Sequence, residues 1–585
     1  MKRGHCVLQV YLAITTLLVA FPPSSIAQEN QTFRGSIVDD WSHHHLIFSN
    51  PGTMQDAIRN GTYEKWRQIV SDPRYRVQWI KRYGPVTRGR GAADEFRFRP
   101  EPRPPSDWQL DRSLEGYWSM QIAGGSNGAT AIDMYPAKFN FSIALVPSCT
   151  ADYVVFPISA AGQSSQTGNI VGLNNLYSGT CSGSVPNWLF DYFVGTGKVQ
   201  TSPVLAENGT KVAFVESITG NGTSTGSIFH VLTIDTSGNS GCPSATPCNG
   251  NAFNSPAVPG THNSAVDTKI TMKGFVSVTR SSPFVDYTND IAYVGDDSGK
   301  LHKFTGVFNG TPAEVTTAPW PFTVASGIIL TAPVHDGGTS GNTFVGGSDG
   351  KLYCVTSAGA HCATSSISVG TGTGPAILDA PIVDSTNEKV FAAANTNSNA
   401  VLVQATTALG SKKTVTMGKN GTDLYNGSFD NAYFTSVGTG HMYFCGNLTS
   451  AATPTLWRVG FASTGTMNTS NDGNSFQLVE SGLTGIANDC TPLAEVYTGS
   501  IDYLFLGVKD NGNPTGCNGN TCIMSFVITS SFPTAANAVT TNGLGAAGTS
   551  GFVVDNVSGS TGASQIYLGN LQTNSAVQFS QSGLN

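Results

Sequence analysis

The sequence predicts an all-β fold: a β-propeller of eight four-stranded blades, with seven as the alternative count, preceded by a short helical N-terminal arm. Three observations predict it. Only 12% of the 585 residues are charged while 67 are Gly, a composition poor in helix formers. A pattern of three apolar runs recurs along most of the chain. Clusters of Gly, Ser, Thr and Asn separate the runs, and no helix-period segment of useful length interrupts them. A hydrophobic content of 39% is enough to build a core and excludes global disorder, a coiled coil and a collagen-like repeat. The net charge of -7 argues against a dedicated nucleic-acid binder.

The chain begins with Lys2 and Arg3, an apolar run over 7–21, Pro22, Pro23 and the small-residue triplet Ser25-Ile26-Ala27. This reads as a secretory signal peptide over 1–27, because the run is shorter than a membrane-spanning helix requires. The expected address is secreted, periplasmic or cell-surface associated, with no membrane span after cleavage.

Residues 28–84 read as a helical arm. Thr53 with Asp56 forms a capping-box pattern, and Tyr63, Trp66, Ile69 and Val70 fall on one helical face. Asp72-Pro73 supplies an N-cap and a first-turn Pro, Tyr75, Trp79 and Tyr83 repeat at i+4, and Gly84-Pro85 ends the helix. Residues 85–117, rich in Pro, Arg and Glu, read as an extended linker. Residues 28–117 carry 14 Lys and Arg with 12 Asp and Glu, whereas 118–585 carry 15 and 26. The arm is therefore expected to dock on the ring through its aromatics, against an acidic surface. A nucleic-acid patch over 74–83 is the minor alternative.

The propeller occupies 118–585. First strands start at Tyr135-Pro136-Ala137, Ser202-Pro203-Val204, Ser282-Pro283-Phe284, Ala332-Pro333-Val334, Ala380-Pro381-Ile382, Ala432-Tyr433-Phe434, Thr491-Pro492-Leu493 and Ser550-Gly551-Phe552. Second strands follow at 153–156, 212–215, 291–295, 343–346, 390–393, 442–445, 503–507 and 566–569. Hairpins such as Gly295-Asp296-Asp297-Ser298-Gly299 and Gly347-Ser348-Asp349-Gly350 use Gly for positive φ and Asp to bond the local backbone. The last repeat ends after a third strand at 576–579, so residues 118–123 are expected to supply its fourth and close the ring. The irregular first and sixth starts, and an insertion around Cys242 and Cys248, keep seven blades open.

Ten cysteines follow the signal peptide, an even number that points to disulfides in an oxidising compartment. Proximity pairs Cys149 with Cys181, Cys242 with Cys248, Cys354 with Cys362, Cys445 with Cys490 and Cys517 with Cys522. No C-x-x-C pair supports zinc.

Tyr293-Val294-Gly295-Asp296-Asp297-Ser298-Gly299-Lys300-Leu301 and Phe344-Val345-Gly346-Gly347-Ser348-Asp349-Gly350-Lys351-Leu352 resemble the PQQ-like repeat of quinoprotein-dehydrogenase-like propellers, most closely over 280–405. Trp41-Ser42-His43-His44-His45 and residues 147–156 resemble segments of secreted bacterial propeller proteins of unknown function. The resemblance implies the blade fold and transfers no catalytic residue. Quinoprotein dehydrogenases hold their quinone with calcium, an axial carboxylate and, in many members, a disulfide between adjacent cysteines; no adjacent Cys pair occurs here.

His43, His44 and His45, next to Asp39 and Asp40, are the candidate metal ligands, set against a hydrogen-bonded structural role. Asp296, Asp297 and Asp349 read as turn residues, since the EF-hand pattern is absent. His230, His302, His335 and His441 either meet at the axis as general bases or face solvent. No nucleophile elbow, zincin, Walker or dinucleotide motif occurs. The expected function is a monomeric, secreted, non-catalytic scaffold that binds a protein or glycan, without cofactor. The alternative is an enzyme with its site in the central channel, either dependent on PQQ and calcium or a polysaccharide hydrolase or lyase.

Overall fold

The computed structural model describes residues 36–83 and most of 114–581. Residues 1–35, 84–113 and 582–585 lie outside the described residues, as do 123–132, 143–146, 162–167, 219–225, 235–266, 480–488 and some shorter breaks. The expected signal peptide, Cys242 and Cys248 fall in those segments.

Eight antiparallel sheets form an eight-bladed propeller. Blade 1 comprises Ala137–Asn140, Tyr153–Pro157, Ile170–Asn174 and Asn187–Tyr192. Blade 2 has Val204–Leu205, Lys211–Ser217, Ile228–Thr233 and Asp267–Thr271. In blade 3, Phe284–Asp286, Ile291–Gly295 and Lys300–Thr305 lead to an outer edge of Ala313–Glu314 and Phe322–Thr323. Blades 4 and 5 begin at Val334–His335 and Ile382–Asp384 and are regular four-stranded meanders. Blades 6, 7 and 8 begin at Ser428–Phe429, Ala494–Tyr497 and Val553–Asp555. The first strands of blades 1 and 2, 3 and 4, 6 and 7, 7 and 8, and 8 and 1 touch, so the first strands line the axis.

The second strands read as unbroken apolar runs because each blade is covered on both faces by its neighbours. Asp502–Val508, for example, is buried at every position. Some repeats end that run in Gly for the same reason. A Cβ at Gly346 would stand 2.5 Å from Ile377 Cγ2 of the next inter-blade segment. The hairpins work as turns: Gly299 takes φ +90°, and Asp296 Oδ1 accepts from the amides of Ser298 at 2.9 Å and Lys300 at 2.7 Å.

The ring closes through Leu114–Gln121, which pairs with Ser575–Gln581 as the outer strand of blade 8. This strand starts four residues before the Trp118 read from the sequence. The sixth start needs a larger correction. Residues 432–434 lie in a short helix, Asn431–Thr435, and the strand is Ser428–Phe429 just before it. Asp430 is the reason, since its carboxylate caps that helix by accepting from Tyr433 N at 3.0 Å.

Disulfides join Cys149 to Cys181, Cys354 to Cys362, Cys445 to Cys490 and Cys517 to Cys522, the pairs that proximity suggested. Among the described residues no helix is long and apolar enough to cross a membrane.

Candidate functional site

The N-terminal arm runs along the inner edges of the ring. Its strand Ile37–Asp39 adds antiparallel to the inner edge of blade 1, with Asp39 opposite Lys138. A helical turn follows, α1 (Ser42–His45), and Leu46–Ile47 then adds parallel to the first strand of blade 5. The chain continues as α2 (Met54–Arg59), α3 (Tyr63–Ser71) and α4 (Pro73–Tyr83). Thr53 and Asp56 form the expected reciprocal capping box at α2. Asp72 caps α4, accepting from Arg74 N at 2.8 Å.

Named bonds tie the arm to blades 2, 3, 5, 6 and 8. Ser36 Oγ donates to Glu207 O of blade 2 at 2.6 Å, and Trp41 Nε1 to Pro283 O of blade 3 at 3.0 Å. Lys65 pairs with Glu388 of blade 5 at 2.6 Å, and Asn50 N donates to Phe434 O of blade 6 at 3.0 Å. Asn556 of blade 8 donates to Lys81 O at 2.9 Å. Trp41, Leu46, Phe48, Ile69 and Tyr75 belong to an apolar cluster shared with blades 2 to 5. The predicted aromatic docking is therefore observed. The i+4 series holds as well, with Tyr75, Trp79 and Tyr83 in edge contact down α4. Tyr63 and Trp66 instead stack on one another at the outer side of α3, where Tyr63 is exposed.

Two arginines of α4 are buried. Arg74 donates to Val285 O at 2.6 Å and Ser42 Oγ at 2.8 Å while lying over the rings of Phe284 and Tyr287. Arg82 forks onto both oxygens of Glu495 in blade 7, donates to Asn431 Oδ1 at 3.0 Å and lies 3.6 Å over the Phe434 ring. Lys65, Arg76 and Arg82 meet carboxylates of the ring, at Glu388, Glu207 and Glu495. Which partners these are was hidden, because they lie far along the chain.

The three adjacent histidines point apart. His43 Nδ1 lies 3.3 Å from Asp40 Oδ1, His44 stacks on Tyr135, and His45 spans from Trp41 O at 2.9 Å to Asp379 Oδ1 at 3.0 Å. Burial pushes His44 down to about 3, so it is a neutral imidazole. Burial also works against a charged His45, but the Asp379 carboxylate outweighs it and raises that imidazole. Burial opposes the ionised form of Asp40 as well; His43 and Arg74 prevail and hold its carboxyl at about 2. Among the described residues no group of three or more His, Cys, Asp or Glu side chains could hold a metal ion.

A cavity of about 70 Å³ remains between α1, α4 and the first strands of blades 6 and 7, lined in part by Asp39, His43, His44, Arg82, Phe434 and Tyr497. Of the residues that line it, Asp39, His43, His44 and Arg82 each have one buried side-chain atom without a protein partner: Oδ1, Nε2, Nε2 and Nε in that order. Small-molecule pockets ordinarily measure about 300–1,000 Å³.

The four strand histidines do not converge on the axis. His230 Nε2 is 3.2 Å from Glu216 and its Nδ1 3.0 Å from Asp267, so it is clamped across three strands of blade 2. His302 is clamped alike in blade 3, 3.2 Å from Asp296 and 2.7 Å from Glu314. Both nitrogens of each ring face carboxylates, which an imidazolium satisfies with two N–H donors. Burial disfavours that charge, yet the flanking carboxylates raise both histidines. His335 stacks on Tyr293, and His441 bonds Asp430 at 2.8 Å. These clamps went unrecognised in the sequence, although the shared hairpin register of the repeats could have aligned them.

No protein-family profile matches the chain, and no curated protein matches it. Solved structures similar to it include BamB from Moraxella catarrhalis, at 12% identity and TM-score 0.37, covering 80% of this chain and 99% of that one. Sqt1 from Saccharomyces cerevisiae is similar at 8% identity and TM-score 0.44, covering 80% and 98%. The computationally designed Ika8 protein is similar at 12% identity and TM-score 0.40, covering 80% and 98%.

Proposed function

We propose that this protein is a secreted, periplasmic or cell-surface, monomeric, non-catalytic propeller scaffold that binds a protein or a glycan. The observation that carries the reading is the arm at the axis. It is paired to the inner edges of blades 1 and 5 and takes up the space in which a channel enzyme would build its site. Recognition is left to the loops at the ends of the ring, held by a rigid frame. Four disulfides support an oxidising compartment.

Two measurements on the purified full chain test this together. Glycan-array binding, followed by titration of any hit, is expected to show saturable, loop-dependent binding. Incubation with PQQ and calcium in a dye-reduction assay is expected to show no quinone uptake. Stoichiometric quinone with dye reduction overturns the scaffold reading.

A further inference from the structure

The axial cavity carries an unmet hydrogen-bonding demand. Asp39 is 4% exposed; its Oδ2 is held by Lys81 at 2.5 Å, and its Oδ1 has no partner. Arg82 is 6% exposed; its terminal nitrogens are held by Glu495 and Asn431, and its Nε–H has no acceptor. The Nε2 atoms of His43 and His44 are likewise unmatched. Four such atoms on residues lining one cavity are a concentration that a folded interior does not leave unmatched.

We propose that this cavity is a subsite for a vicinal diol, the neighbouring hydroxyls of a polyol or of a sugar side chain. The proposal rests on the glycan half of the scaffold reading. Its chemistry follows from the unmet groups. Asp39 Oδ1 needs a donor and Arg82 Nε–H needs an acceptor, and a hydroxyl supplies both. Asp39 is already matched by Lys81 and Arg82 by Glu495, so an ionic ligand would meet a like charge whichever its sign. The imidazoles accept or donate at Nε2 according to tautomer and follow the hydroxyls' orientation. Phe434 and Tyr497 offer apolar wall to the carbons between them. At about 70 Å³ the cavity is far below the roughly 300–1,000 Å³ of ordinary small-molecule pockets, so it takes the hydroxyl-bearing end of a polyol rather than a whole oligosaccharide.

The test uses the full chain, with glycerol as probe and 1,3-propanediol as a control whose hydroxyls are not adjacent, read by saturation-transfer NMR. Glycerol is expected to bind saturably, and the control at least tenfold more weakly. His44→Phe keeps a ring stacked on Tyr135 but removes Nε2, and Asp39→Asn removes the charged acceptor. Each is expected to weaken glycerol at least tenfold. His44→Phe is expected to keep the wild-type melting temperature, so it carries the test should Asp39→Asn fail to fold. Absence of saturable binding, equal binding by His44→Phe, or a glycerol-soaked crystal with only ordered waters in the cavity overturns the proposal. A negative glycan array with glycerol binding intact refutes the glycan reading alone, and the converse refutes the subsite alone.

Discussion

Blades 3 and 5 have the same four-stranded form and are held by opposite physics. The difference is clearest at one position of the third strand. One residue beyond the second-strand partner of the residue that follows the X-Pro proline, His302 of blade 3 pairs with Val294, and Val403 of blade 5 pairs with Ala392. Blade 3 puts a buried imidazole there, clamped between the carboxylates of Asp296 and Glu314. In blade 5 the position is aliphatic, within strands rich in Val, Ala and Leu. Blade 4, between them, has Tyr353, whose hydroxyl donates to Asp349 at 2.6 Å, and adds the Cys354–Cys362 crosslink between its third and fourth strands. Blade 2 repeats the blade 3 solution with His230, opposite Phe214. The repeat thus fixes a geometry while leaving its adhesive free, and each adhesive answers to a different perturbation.

That contrast is breakable by mutation. His302→Ala leaves two carboxylates buried without their cation, and about 3–5 kcal/mol of stability is expected to go. The loss is expected to depend on pH. His302 has its folded pKa raised above 6.5, so its contribution is complete below 6.5 and fades as pH rises through the folded value. Burial works against ionised Asp296, but the His302 hydrogen bond holds it below 3.8, so its contribution is complete above 3.8 and fades as pH falls through the folded value. Chemical denaturation at several pH values should therefore show the largest gap between wild type and His302→Ala at about pH 4–6.5. A gap that stays flat with pH would remove the imidazolium from the account.

Replacing Cys354 and Cys362 with Ser opens a crosslink of sequence separation 8, with an expected loss of about 2–3 kcal/mol. Val403→Ala removes two buried methyl groups, for an expected loss of about 2 kcal/mol including the cavity, the same at pH 5 and pH 8. A pH-dependent Val403→Ala would erase the distinction between the two blades. The smallest effect is expected outside both, where Thr53→Ala deletes the capping box of the outlying helix α2 at a cost of about 1 kcal/mol. Helicity loss confined to the arm, seen by hydrogen exchange, checks it.

The repeat was legible because strand pairing within a blade is local. All eight second strands stand where their apolar runs fall, and the closing strand was inferable from a last blade short of one strand. Blade 6 misled because Ala432-Tyr433-Phe434 is apolar like a strand start, whereas Asp430 caps a helix there. The site was legible only in part. His43, His44 and His45 do sit at the axis, but what separates them is Tyr135 and Asp379, residues distant in sequence. Nothing local in Arg82 announces Glu495, and nothing in His302 announces Glu314 as its second carboxylate.

The closing strand also sets a schedule. Among the described residues Leu114–Gln121 pairs with Ser575–Gln581, more than 450 residues later in the chain. At a synthesis rate of about 5–20 residues per second, the ring stays open for roughly 20 to 90 seconds after that strand has been made. Blades can form one by one in that interval, but the annulus is completed only when Ser575–Gln581 arrives. A chain stopped short of Ser575 is left with an unpaired sheet edge at each side of the gap, the kind of surface that quality-control factors bind.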